Sequence, residues 1–151
     1  MIAAGGIGTG RAMLAAMNLG ADAVQIGSRF VASEESSAHI NFKQSVVEAK
    51  EGDTQLTLKE LTPVRLIKNP FYAQVHEAYE KGATPDELKT LLGRGRAKKG
   101  MFEGDLTEGE LEIGQISGII DQILPAKDIV AEILAEYSSA LQEQSSPKFN
   151  F

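Results

Sequence analysis

Met1-Ile2-Ala3-Ala4-Gly5-Gly6-Ile7-Gly8-Thr9-Gly10, followed downstream by Ala21-Asp22-Ala23-Val24-Gln25-Ile26-Gly27-Ser28-Arg29-Phe30, decides the fold. Met1 to Ala4 reads as the end of a short buried strand that runs into a glycine-dense turn. A helix is predicted over Arg11 to Leu19, with Met13, Ala16 and Met17 inward and Gly20 as its left-handed stop. Ala21 to Ile26 is a short apolar run of the kind that forms a parallel strand covered on both faces. Strand, helix and strand joined by short loops make a βαβ unit with a right-handed crossover.

Downstream the pattern turns mostly helical. Ser33 is placed to cap a long helix from Glu34 to Lys50, with Gly52 as its stop. Asp53 to Asn69 alternates in places and reads as one or two strands. Asn69-Pro70 opens a helix through Tyr79, and Thr84-Pro85-Asp86-Glu87 carries a capping Thr, Pro at the first position and Glu at the third. Thr107-Glu108-Gly109-Glu110 repeats the capping pattern ahead of Ile113, Ile116, Ile120 and Ile123 at helical spacing. A last helix over Lys127 to Gln142 places Val130, Ile133, Leu134, Tyr137 and Leu141 on one face, and Ser145 to Phe151 is expected to be a loose tail.

Two glycine-bearing turns therefore follow two successive parallel strands, Gly5-Gly6 after the first and Gly27-Ser28 after the second. Backbone N–H groups at such turns favour an anion, and glycine allows close approach. Loops after the last two strands of a β/α barrel are a recurrent phosphate site. The turn is not a dinucleotide fingerprint: Gly6 and Gly8 begin one, but Arg11 stands where the third glycine belongs, and no Walker lysine follows. Tight helix–strand packing at Gly5 and Gly6, and a plain strand end at Gly27, are the alternative structural readings. Gln25 faces opposite to Val24 and Ile26, and its amide needs partners from a neighbouring strand or a ligand.

The segments Ile2-Ala-Ala-Gly-Gly-Ile7 and Gly20-Ala-Asp-Ala-Val-Gln-Ile-Gly-Ser-Arg-Phe30, with Ser33-Glu34-Glu35, resemble the last two strand units of the nitronate monooxygenase and FabK-type enoyl-ACP reductase family. Lys68-Asn69-Pro70, Gly104-Asp105 and Glu112-Ile-Gly-Gln-Ile-Ser-Gly118 resemble its helical C-terminal extension, above all in FabK-like members. The resemblance implies an α/β fold that is the C-terminal portion of a (β/α)8 TIM barrel, with the last two βα units over 1-52, a mainly helical extension over 53-143 and a tail over 144-151. It implies non-covalent FMN, with Gly5, Gly6, Gln25, Ile26, Gly27 and Ser28 at the phosphate. The family usually has Thr at the last of these, and Ser28 keeps the hydroxyl.

A complete barrel needs about 250 residues, and this chain has 151. On the resemblance, the catalytic histidine, flavin-ring contacts and most of the substrate pocket lie upstream of it. The parent is expected to act on an alkyl nitronate, with oxygen reoxidising the flavin, or to pass hydride from NAD(P)H through the flavin to an enoyl thioester. Two readings from other classes stand beside this one: an inactive fragment that self-associates through exposed strand edges, and a barrel binding another phosphate ligand.

Composition limits the remainder. A formal charge of -6 argues against a primary nucleic-acid binder, and the basic run Arg94, Arg96, Lys98, Lys99 reads as a solvated helix face. The chain has no cysteine, which excludes disulfides, thiolate metal sites and cysteine nucleophiles and fits a reducing cytoplasm. No apolar run approaches the roughly 20 residues of a membrane span. His39 and His76 are the only histidines, both on predicted helices rather than strand ends, and read as structural. Glu34-Glu35 reads as favourable charge in a first helical turn. No catalytic residue and no metal set is assigned within the chain, and a homo-oligomer is expected.

Overall fold

The computed structural model describes residues 1–149. It is a mixed α/β chain with few strands, gathered into two compact units: residues 1–36 with 123 onward, and residues 37–122. These units cut across the segments 1-52, 53-143 and 144-151 read from the sequence, because the closing helix groups with the opening strands.

In the first unit β1 (Ile2–Ala4) pairs in parallel with β2 (Ala23–Gln25), in the register Ile2 with Ala23, Ala3 with Val24 and Ala4 with Gln25. Between them runs α1 (Gly10–Asn18), as the βαβ reading predicts. Thr9 starts it, its hydroxyl accepting from the Ala12 amide at 3.1 Å. The helix turns Leu14 fully inward, while Met13, Ala16 and Met17 are half-buried. Beyond β2 comes the one-turn α2 (Ser28–Val31).

The helix predicted over Glu34 to Lys50 forms only over Ile40–Glu48 and does not start at Ser33. The Ser33 hydroxyl donates to the Phe30 carbonyl at 2.8 Å and accepts from the Ser36 amide at 3.2 Å, so its capping capacity is spent on a turn. Ser33 also pairs with Leu124 in an isolated parallel bridge. Glu35, expected in a first helical turn of its own, instead accepts from the Ala126 amide at 2.8 Å. It thereby serves α7 (Ala126–Glu143), whose preceding residue Pro125 has no side-chain cap. The α7 face also differs from expectation. Ile129, Ile133 and Ala140 are buried, whereas Val130, Leu134 and Leu141 lie exposed. Gly10 decides this: a Cβ there would overlap the Ile133 carbonyl and the Tyr137 amide, so α1 meets the α7 backbone directly at that point.

The second unit opens with α3 (Ile40–Glu48), capped by His39. A hairpin follows, β3 (Thr54–Thr57) antiparallel to β4 (Val64–Ile67), as the alternation predicts. Next come α4 (Pro70–Glu80), started by Asn69, and α5 (Pro85–Leu92), whose Thr84–Glu87 capping box is complete. Leu58, Leu66, Phe71, Val75 and Leu88 form the core of this unit. The basic run read as a solvated helix face falls on and beside the short α6 (Arg96–Met101), but Arg96 is half-buried rather than solvated. Its Nε donates to the Leu91 and Leu92 carbonyls at 3.2 and 2.9 Å, and Nη1 to the Glu108 carbonyl at 2.8 Å. The guanidinium also lies 4.4 Å from the centre of the Phe71 ring.

The Thr107 capping pattern likewise starts no α-helix. Asp105 accepts from the Thr107 and Glu108 amides, each at 2.9 Å, and closes a local turn. The chain then runs extended beside β4, with Ile67 donating to the Leu111 carbonyl and Ile113 to the Arg65 carbonyl. Only a 3-10 helix over Gln115–Ile119 follows. Strand pairing has taken the first isoleucine of a spacing that looked helical. At the end of the chain the tail is described as far as the 3-10 helix Pro147–Phe149, and the rest of the expected tail, Asn150 and Phe151, lies outside the described residues.

Candidate functional site

The register of the first sheet sets Ala4 opposite Gln25, so the Gly5-Gly6 turn and the Ile26-Gly27-Ser28 turn leave the same end of the strand pair side by side. Gly5 and Gly6 have φ values of 84 and 70°, which L residues avoid. A Cβ at either would meet nothing within 4 Å. These two glycines are therefore set by backbone conformation, and not by the close helix–strand packing that was the alternative reading. Close packing falls instead on Gly10.

Gly27 differs from both. Its φ is −105°, open to any residue, and a Cβ there would also meet nothing within 4 Å. Nothing in the chain itself requires glycine at this position. Gln25 is exposed, Ile26 and Ser28 are half-buried, and Ser28 begins α2. The first N–H of α1 is already taken, because the Gly10 amide donates to Glu136 Oε2 at 2.8 Å. Nearby cations are engaged as well: Arg29 pairs with Glu132 at 3.3 Å and Arg11 with Glu143 at 2.6 Å.

Both histidines have structural surroundings. His39 Nδ1 accepts from the Asn41 amide at 3.1 Å, and the ring fills the space beside Gly104. His76 is exposed on α4, 3.7 Å from Glu80 and 6.1 Å from the Tyr72 ring centre. Among the described residues no group of three or more His, Cys, Asp or Glu is arranged to hold a metal ion. No helix among them is long and apolar enough to cross a membrane.

Two features escaped the sequence. Glu110 is buried, and the loss of solvent, reinforced by the charge of Glu112, pushes its carboxyl up to about 7. An open groove of about 430 Å³ lies on β3 and α4, lined among others by Gln55, Lys59, Tyr72, His76 and Tyr79. The signal for Glu110 was its two-residue spacing from Glu112, which puts both on one face only once the segment is known to be extended.

A parallel strand pair ending in two adjacent glycine turns, with a mixed second unit, defines an α/β chain with few strands. A family model for nitronate monooxygenase matches residues 1–136. The chain is 32% identical over 137 residues to a probable nitronate monooxygenase of Bacillus subtilis (strain 168), covering 90% of this chain and 39% of the relative. A probable nitronate monooxygenase of Staphylococcus saprophyticus is 37% identical over 125 residues, covering 82% of this chain and 35% of the relative. Among solved structures, FabK from Thermotoga maritima superimposes with a TM-score of 0.86 at 40% identity, covering 94% of this chain and 45% of that one. Nitroalkane oxidase from Streptomyces ansochromogenes gives 0.71 at 32% identity, covering 95% and 41%. The chain belongs to the nitronate monooxygenase family. It spans about two fifths of the length of these relatives.

Proposed function

We propose that this chain forms the last two strand units of a (β/α)8 barrel and supplies the phosphate-binding end of an FMN-dependent oxidoreductase. The observation that carries the reading is Gly27: no packing and no backbone strain within the chain calls for glycine there, yet a ligand phosphate seated on the turn would. The Gly5-Gly6 turn offers the matching wall from the neighbouring strand. In this assignment the backbone around Gly5, Gly6 and Gly27 and the Ser28 hydroxyl hold the phosphate, with Gln25 and Ile26 completing the strand-end rim. FMN, when bound, supplies the electron chemistry.

The residues on the page bind and orient; none is assigned a proton-transfer role, since His39 and His76 are engaged in capping and in surface contacts. The acid–base and substrate-facing groups are assigned to the portion of the relatives that this chain does not match. The substrate of the whole enzyme is an alkyl nitronate or an enoyl thioester, with NAD(P)H as donor in the second case. A cytoplasmic setting accords with the absence of cysteine. Self-association of the chain has its own support: Ile2, Val130, Leu134 and Leu141 are exposed apolar side chains in the unit whose sheet has two strands.

The test is retention of FMN through gel filtration by the 151-residue chain and by Gly27→Val, with circular dichroism of both. Flavin held by the first and released by the second, at equal stability, supports the reading. Equal retention, or none by either, refutes it.

A further inference from the structure

The groove on β3 and α4 belongs wholly to the unit of residues 37–122 and has no part in the phosphate turns. Its α4 wall follows from helical spacing. Tyr72, His76 and Tyr79 recur at i, i+4 and i+7, so three flat rings share one face. Tyr72 and His76 lie with centroids 6.1 Å apart and planes inclined by 47°.

The facing wall is the end of β3 and the loop after it. Leu58 has a φ of 52°, the one described non-glycine residue in the left-handed region, and its side chain is buried in the core of this unit. Such a conformation costs energy and persists only where its surroundings over-determine it. Here the loop is clamped from both sides. Leu58 anchors it below, and the Tyr79 hydroxyl donates to Glu60 Oε2 at 2.5 Å above. The clamp holds the Glu60 carboxyl below the usual carboxylate range, and the exposed Lys59 beside it lines the groove.

Three polar groups remain in this space. Among the described residues, the Gln55 amide, the Lys59 ammonium and the Tyr72 hydroxyl make no hydrogen bond within the chain, and Lys59 feels the charge of its neighbour Glu60. A carboxamide offers a donor and an acceptor side by side, the pattern that meets an adenine edge. Aromatic faces accept a stacked base. The ammonium at the rim suits a phosphate. We propose that this groove binds a purine mononucleotide, its base against Tyr72 and His76, its polar edge on Gln55 and its phosphate on Lys59. A volume of about 430 Å³ is in the range of small-ligand sites.

The experiment is titration of the full 151-residue chain, 15N-labelled, with AMP, adenosine and ribose 5-phosphate, followed by amide shifts. AMP is expected to perturb residues 55–60 and 72–79 with a Kd on the order of 0.1 mM. Adenosine and ribose 5-phosphate are each expected to bind at least about tenfold more weakly, having lost the phosphate or the base. Tyr72→Ala and Lys59→Ala should each weaken AMP about tenfold, and Lys59→Arg should restore most of the loss. Ribose 5-phosphate binding as tightly as AMP, adenosine binding as tightly as AMP, or absence of shifts in these segments overturns the proposal. Shifts confined to residues 5–6 and 26–28 would assign the nucleotide to the strand-end turns and overturn it equally. The first three of these outcomes leave the Gly27→Val test untouched, and the last would count for the strand-end phosphate site.

Discussion

Replacing Gly10 by alanine adds one methyl group at a place where α1 touches the backbone of α7. The new Cβ would overlap the Ile133 carbonyl and the Tyr137 amide, and backbone yields less readily than the end of a flexible side chain. Overpacking of this kind costs about 1–3 kcal/mol. Alanine's better helix propensity returns at most about 1 kcal/mol, and less at a first helical position. Separation of the helices also weakens the hydrogen bond from the Gly10 amide to Glu136. The net expectation is a loss of about 2 kcal/mol. With a urea dependence of about 2 kcal/mol/M, the unfolding midpoint read at 222 nm should fall by about 1 M. Gly27→Ala is the internal control with the opposite sign. Its φ of −105° suits alanine and its Cβ meets no atom, so a less flexible unfolded chain should raise stability by about 0.5 kcal/mol. A Gly10→Ala midpoint within about 0.2 M of the parent would refute the claim that helix approach dictates this glycine.

Glu110 gives a pH signature. Its carboxyl is raised from 4.5 to about 7 by burial, then by Glu112. The folded chain therefore holds a proton that the unfolded chain has released, and stability falls as pH rises from about 4.5 to about 7. Glu110→Gln should match the parent near pH 4.5 and exceed it by about 2 kcal/mol at pH 8.5; parallel stability curves across that range would sink the assignment. Arg96→Ala strips partners from the Leu91, Leu92 and Glu108 carbonyls together with the ring contact. A loss of about 3 kcal/mol, read as a melting temperature lower by roughly 6–12 °C, is expected. Arg96→Lys should recover little of it, because an ammonium cannot fork to those carbonyls; full recovery would show that charge alone was needed.

The parts legible in the sequence are those set by local rules. Thr84 to Glu87 carried its capping box on its face, and Asn69-Pro70 fixed the start of α4. The alternating strand–helix–strand opening gave β1, α1 and β2 in their parallel pairing. What failed was decided by competing local turns and by partners distant in the chain. Ser33 has the composition of a helix cap, but Phe30 and Leu124 claimed it. Thr107 has the same pattern as Thr84, yet Asp105 took its neighbouring amides while β4 drew Leu111 and Ile113 into pairing. The apolar stripe of α7 is legible only in part: Ile133 is buried as its spacing predicts, but Gly10, far away in sequence, says which row of that helix is approached, and Val130, Leu134 and Leu141 fall outside it. The glycine turns could be read as a place, whereas the contrast between Gly10, held by packing, and Gly27, held by nothing in the chain, required coordinates.

The first unit is assembled from both ends of the chain, with residues 37–122 inserted between its halves. On a ribosome, β1, α1 and β2 emerge before α7 and wait for it before Gly10 gains its cover. Closing so long a loop from an open coil carries an entropic cost of about 4 kcal/mol. An inserted unit that has already folded shortens the effective tether and removes part of that cost. The order of events is thus written into the connectivity: the middle of the chain is expected to fold first and the two ends to meet last. Mutations in the inserted unit would then slow the docking of α7 on α1 without touching either helix, and deletions within α7 would leave Gly10 without its cover.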